Sequence, residues 1–287
     1  MGDAAAALLM GGSAVLGALI GSFLNVVIHR VPAGQSVVHP PSACPSCGSR
    51  IRPYDNIPVV SWLLLRGRCR DCSAPISARY PLIEAGTALA FGLVAAWMIS
   101  PLSPAGSVVD AAGALGILAG ALMLIAYLWL AAVSIALTAI DLETHRLPNV
   151  IVLPGYAVAA IGLGVPALLA GDLERLGIMA AGSGILFLAY AAMAVAWPGG
   201  MGMGDVKLAG VLGAFLGFSG WAALVVGAFG AFVLGGLVSI VLLLLKRVSR
   251  KGGIPFGPWM IAGSWVGLVL GASIAASYLS LFGIELV

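Results

Sequence analysis

Two acidic residues sit where charge is expensive. Asp141 closes an apolar run in ALTAIDLETHRLPN, and Asp205 opens another in GMGMGDVKLAGVLG. A carboxylate at the edge of a membrane segment usually faces a bundle interior or a water-filled cavity. Two carboxylates brought close together cannot both ionise easily; they share a proton, which leaves one as base and the other as acid. Such a pair can activate a water and protonate a leaving amine, which is hydrolysis of a peptide bond by general acid–base catalysis. Gly202 and Gly204 beside Asp205 can adopt positive φ and let an extended substrate approach the backbone with no side chain in the way. The residues leave a second reading open, in which Asp205 is a helix N-cap and Asp141 an interfacial charge ending a span.

The second constellation is CPSCGSRIRPYDNIPVVSWLLLRGRCRDC, which holds all four cysteines: Cys44, Cys47, Cys69 and Cys72. Two C-x2-C knuckles can supply four thiolates in a tetrahedron, the preference of structural zinc. Pro45, Gly48 and Gly67 offer the tight turns around them. Two disulfides or a redox pair are the alternatives, and both want an oxidising compartment. A loop of about fifty residues buries little core, so a metal staple also explains how it folds.

These residues must be positioned by membrane helices. Hydrophobic residues make up 61% of the chain and charged residues 9%, against roughly 25% charged in a soluble domain. Mean hydropathy is +1.10. Apolar segments fall at 6–28, 81–100, 113–140, 149–170, 177–196, 205–219, 222–245 and 258–282. The fold class expected is an all-α polytopic membrane protein of about eight transmembrane helices with a small cytoplasmic zinc-binding loop. Its divisions are a first helix (1–29), the tetracysteine loop (30–80) and a seven-helix core (81–287). The split at GFSG between the sixth and seventh spans is the least marked, because the sixth is short. The N-terminus has Asp3 and no basic residue before its apolar run, unlike a cleavable signal, so it reads as a retained span.

Basic residues orient the spans. If the first loop is cytoplasmic, then Arg30, Arg50, Arg52, Arg66, Arg68, Arg70, Arg79, Arg146, Lys207, Lys246, Arg247, Arg250 and Lys251 lie inside and only Arg175 outside, as the positive-inside rule asks. Both termini are then extracytoplasmic, Asp141 and Asp205 share the cytoplasmic leaflet, and the cysteines lie on the reducing face. Nothing in the composition points to nucleic acid; the lipid bilayer is the partner the sequence implies.

DLETHRLPNVIVLP and GMGMGDVKLAGVLGAFLG resemble the bacterial type IV prepilin peptidases, intramembrane aspartic proteases with a G-x-G-D signature, here Gly202-Met203-Gly204-Asp205. The resemblance continues at GSFLNVVIHRVP (21–32), the cysteine segment, ARYPLIEAGTALAF (78–91) and IPFGP (254–258), in order along almost the whole chain. It implies that Asp141 and Asp205 are the catalytic pair, that the substrates are prepilins or pseudopilins cut after a short basic leader at the inner face of the bacterial cytoplasmic membrane, and that the new N-terminal amine is methylated from S-adenosylmethionine. No glycine-rich dinucleotide fingerprint marks where the methyl donor would sit. Position 149 is Asn where relatives often have Asp, and position 200 is Gly where many have Glu; neither departure removes an acid of the pair.

Several residues have plainer readings. Asn25 and His29, one turn apart, either line a cavity or make helix–helix hydrogen bonds. Gly17 and Gly21 read as a packing face, Lys207 as a snorkelling lysine, Glu143 and His145 as solvated, and GGIPFGP as a rigid lead-in turn. Glu84, just inside the second span, suggests a structural or substrate role. Two other function classes compete. A proton-coupled transporter with Asp141 and Asp205 as a relay wants interrupted helices in matching halves, and a membrane thiol oxidoreductase wants its cysteines on the oxidising face.

Overall fold

The computed structural model describes residues 2–104, 113–197, 199–245 and 255–284. The basic cluster Lys246, Arg247, Arg250 and Lys251 and the first part of GGIPFGP lie outside the described residues. Among the described residues the long elements are all helical: α1 Asp3–Arg30, a short α2 Val60–Leu64, α3 Arg79–Met98, α4 Ala114–Thr144, α5 Asn149–Leu169, α6 Leu173–Ala196, α7 Met203–Phe218, α8 Trp221–Leu244 and α9 Gly257–Ser280. Seven of them are long and apolar enough to cross a bilayer, so the chain is a multi-pass membrane protein. The exception among the eight expected spans is α7, with 16 residues. A segment that packs on protein along its whole length has no need to match the roughly 20 residues that cross the lipid, and every residue of α7 from Leu208 to Phe218 is buried. The helix break expected at GFSG occurs at Ser219 and Gly220.

The chain forms two compact units, residues 1–99 with 128–140, and residues 100–127 with 141–287. In the first, α1 and α3 pack antiparallel. A Cβ at Gly17 would lie 2.8 Å from the Phe91 Cβ, and one at Gly21 would lie 2.7 Å from the Glu84 Cα. Small residues let the two backbones approach where lipid gives no hydrophobic drive, as the sequence led us to expect of this pair. The Asn25 side chain donates to the Gly21 and Tyr80 carbonyls, which is the helix–helix reading of that residue.

In the second unit the same device recurs twice. On α9, Gly263, Gly267 and Gly271 form one stripe at four-residue spacing against α8; a Cβ at Gly267 would lie 2.6 Å from the Gly227 Cα. Gly182 of α6 meets Gly217 of α7, where an added Cβ would stand 3.1 Å from the Gly217 Cα. Helix α5 is interrupted by a π-helical turn, Ala160–Gly164, next to Pro166, whose missing N–H leaves an earlier carbonyl without its helical donor. It packs on α7 through Tyr156, whose Oη donates to the Lys207 carbonyl at 2.9 Å.

Candidate active site and metal centre

Asp141 lies in the last turn of α4, which ends where His145 turns left-handed (φ 52°) and its N–H closes on the Asp141 carbonyl. The Asp141 side chain is buried, and its Oδ2 accepts the N–H of Gly257, the first residue of α9, at 3.1 Å. A Cβ at 257 would lie 2.7 Å from that oxygen and 3.4 Å from the Leu147 Cδ2. Leu147 also fills the space beside Gly204, where a Cβ would lie 2.9 Å from the Leu147 Cβ. Asp205 is the next residue. Asp141, Gly257, Leu147, Gly204 and Asp205 thus form a continuous run of neighbours. The Tyr190 ring stands 6.2 Å from that of Phe256, the residue before Gly257.

Asp205 is the third residue of α7 rather than its cap. Its Oδ2 accepts the N–H of Gly202, the N-cap residue, at 3.0 Å. Positive φ is not what the glycines supply. Gly202 is extended at φ −83° and Gly204 is helical. Their common feature is a missing side chain where Leu147 and the Asp205 carboxylate press in. Gly257 is the residue that sequence reasoning missed, since IPFGP read only as a turn. Asn149 and Lys207, taken separately in the sequence, meet: Lys207 Nζ donates to Asn149 Oδ1 at 3.0 Å. Glu143 and His145 are exposed.

The four cysteines converge in the first unit. Their sulfurs all lie within 4.8 Å of one another, and Cys44 Sγ and Cys72 Sγ are 3.7 Å apart. A tetrahedron with metal–sulfur bonds of about 2.3 Å has edges of about 3.8 Å, so the spacing of the four thiols fits a metal ion at their centre. The two knuckles are built alike. Gly48 N–H closes on the Cys44 carbonyl and Ser73 N–H on the Cys69 carbonyl, each at 2.9 Å, with positive φ at Gly48 (73°) and at Ser73 (60°). Backbone N–H groups of Cys47 and Ser46 lower the Cys44 thiol to about 6, which favours the thiolate a metal takes. At Cys72 the Ala74 N–H pulls the other way from desolvation and the neighbouring thiols, which together push it up to about 12. Four thiolates this close need a cation between them. Ion pairs brace the loop: Arg52 to Asp71 at 3.0 Å, and Arg70 Nε to Asp55 Oδ1 at 2.9 Å. The Arg70 guanidinium, also over the Tyr54 ring, lowers the Asp55 carboxyl from its usual range.

Two family models match the chain. Residues 15–98 match the bacterial peptidase A24 N-terminal domain, and residues 124–240 match the type IV leader peptidase family. A protein of Aeromonas hydrophila named prepilin leader peptidase/N-methyltransferase is 38% identical over 292 residues, covering 92% of this chain and 91% of its own. The chain belongs to the type IV leader peptidase family. Relatives of the same name from Pseudomonas aeruginosa and Pseudomonas putida are 33% and 35% identical, each over 94% of this chain and 93% of their own. No solved structure matches the chain. Within this leader peptidase chain, the two family models fall on the two constellations of the sequence: the first contains the four cysteines, the second both aspartates.

Proposed function

We propose that the chain cleaves the basic leader from type IV prepilins or pseudopilins at the inner face of the bacterial cytoplasmic membrane, with Asp141 and Asp205 as the catalytic pair. The observation that carries this reading is the run of contacts that joins Asp141 through Gly257, Leu147 and Gly204 to Asp205. One carboxylate takes a proton from water as it attacks the scissile carbonyl, and the other gives its proton to the leaving amine as the C–N bond breaks. Burial of Asp141 limits access of bulk water to the pair. Gly202 and Gly204 are the backbone an extended substrate would run beside. Methylation of the new amine from S-adenosylmethionine follows, as the names of the relatives suggest. Cys44, Cys47, Cys69 and Cys72 hold a structural zinc ion; a single cluster of four thiols suits that role better than two independent redox pairs.

The test uses purified protein in lipid with a full-length precursor, with and without S-adenosylmethionine, and reads the products by mass spectrometry. The expected product lacks the leader, and with the donor present it is one methyl group heavier. An intact precursor would overturn the peptidase reading, and a cut but never methylated product the second activity alone.

A further inference from the structure

The segment Ile57–Leu65 lies outside the spans, in the tetracysteine loop, and its amphipathicity is inverted. Val60, Leu63 and Leu64 share one face of α2 at the i, i+3, i+4 spacing and are 48%, 61% and 78% exposed, with Ile57 beside them at 49%. The polar residue of the helix points inward instead: Ser61 is buried, donates to the Tyr54 carbonyl at 2.9 Å and accepts the Ile57 N–H at 3.1 Å. Trp62 is held against the loop by its Nε1, which donates to the Ile76 carbonyl. A water-facing loop folds with the opposite polarity.

A single hydrogen bond fixes the depth of this face. The Val59 N–H donates to Glu84 Oε2 at 2.6 Å, and Glu84 lies five residues inside α3, which starts at Arg79. At 1.5 Å per residue that is about 7 Å below the start of the helix. Helix α3 has 20 residues, just the length that crosses a hydrocarbon core of about 30 Å, so its first residue cannot stand far out in water. Val59 is therefore level with the boundary between headgroups and acyl chains, and α2 follows it directly. The Val59 backbone is bent to make this possible: φ is 62° and the Val60 N–H closes on the Pro58 carbonyl, a positive-φ γ-turn that a β-branched residue seldom adopts. The buried Glu84 carboxylate holds that turn in place. Immediately after α2, Arg66 and Arg68 are exposed and, among the described residues, make none of the salt bridges that occupy Arg52 and Arg70. Two such guanidinium groups beside an apolar face match anionic headgroups above acyl chains.

We propose that Ile57–Leu65 is a membrane-dipping wedge, with Ile57, Val60, Leu63 and Leu64 in the upper acyl region and Arg66 and Arg68 on lipid phosphates. The metal centre is thereby tied down on the bilayer surface rather than carried on a free loop. The experiment places a genetically encoded, environment-sensitive fluorophore at position 64, and in a second variant at position 63. Each full-length protein is put into nanodiscs of phosphatidylcholine and phosphatidylglycerol that carry a nitroxide either on the headgroup or near the top of the acyl chain. The wedge predicts blue-shifted emission that the acyl nitroxide quenches more than the headgroup nitroxide does. Emission quenched mainly from the headgroup, or by neither label, overturns it, whether the face is then covered by water, by a second copy of the chain or by another protein.

Discussion

The Gly257 N–H holds the Asp141 carboxylate at the start of α9, and a Cβ at 257 would stand 2.7 Å from the oxygen that accepts this bond. Real Cβ atoms do not approach so closely, so Gly257→Ala moves the carboxylate, the helix start, or both. A misplacement of about 1 Å costs on the order of 10²-fold in rate. We expect Gly257→Ala to lose about that much leader cleavage while it keeps its helical content and its elution as wild type. Activity near wild type would show that the 257 contact does not position Asp141. The role of Gly257 was not legible in the sequence, because the bond joins residues 116 positions apart and a glycine between Phe and Pro reads locally as a turn. Asp205 was legible as an acid at a helix start, yet its position as third residue rather than cap emerged only from the fold.

Among the elements, the long helices and their small-residue faces follow from pattern. An apolar run of about 20 residues is a span whatever its neighbours, and Gly17 with Gly21 form the packing face that their spacing suggests. Helix α7 departs from pattern because protein on all sides replaces lipid. Helix α2 was hidden because five residues are too few to show a period, and because its apolar face turns outward. The cysteine knuckles were legible from their spacing, though the second uses Ser73 at the positive-φ position that Gly48 fills in the first. Metal should be the main support of the segment between α1 and α3, which has little core of its own. Purified protein is expected to carry one zinc per chain. A chelator or Cys69→Ser should remove it, exposing 31–78 to protease while the circular dichroism of the spans stays unchanged. A metal-free loop that remained protease-resistant would contradict that role.

At the scale of the molecule, the helices bring together two acids that are 64 positions apart in sequence, Asp141 at the end of α4 and Asp205 at the start of α7. Charge counting, helix order and the G-x-G-D signature led to the expectation that these two acids work as a pair. The neighbours that lie between them, Leu147 and Gly257, were not readable, because they depend on how α9 begins rather than on any motif around the acids. The paired-acid account requires both carboxylates, since neither alone can activate water and protonate the leaving amine. The most direct test is therefore leader cleavage in lipid by wild type, Asp141→Asn and Asp205→Asn, each checked for zinc content and helical content before assay. The account predicts that wild type cuts and that both variants are folded, metal-loaded and inert. Cleavage at the wild-type rate by either single variant would contradict it, and would leave that aspartate a structural role at its helix end.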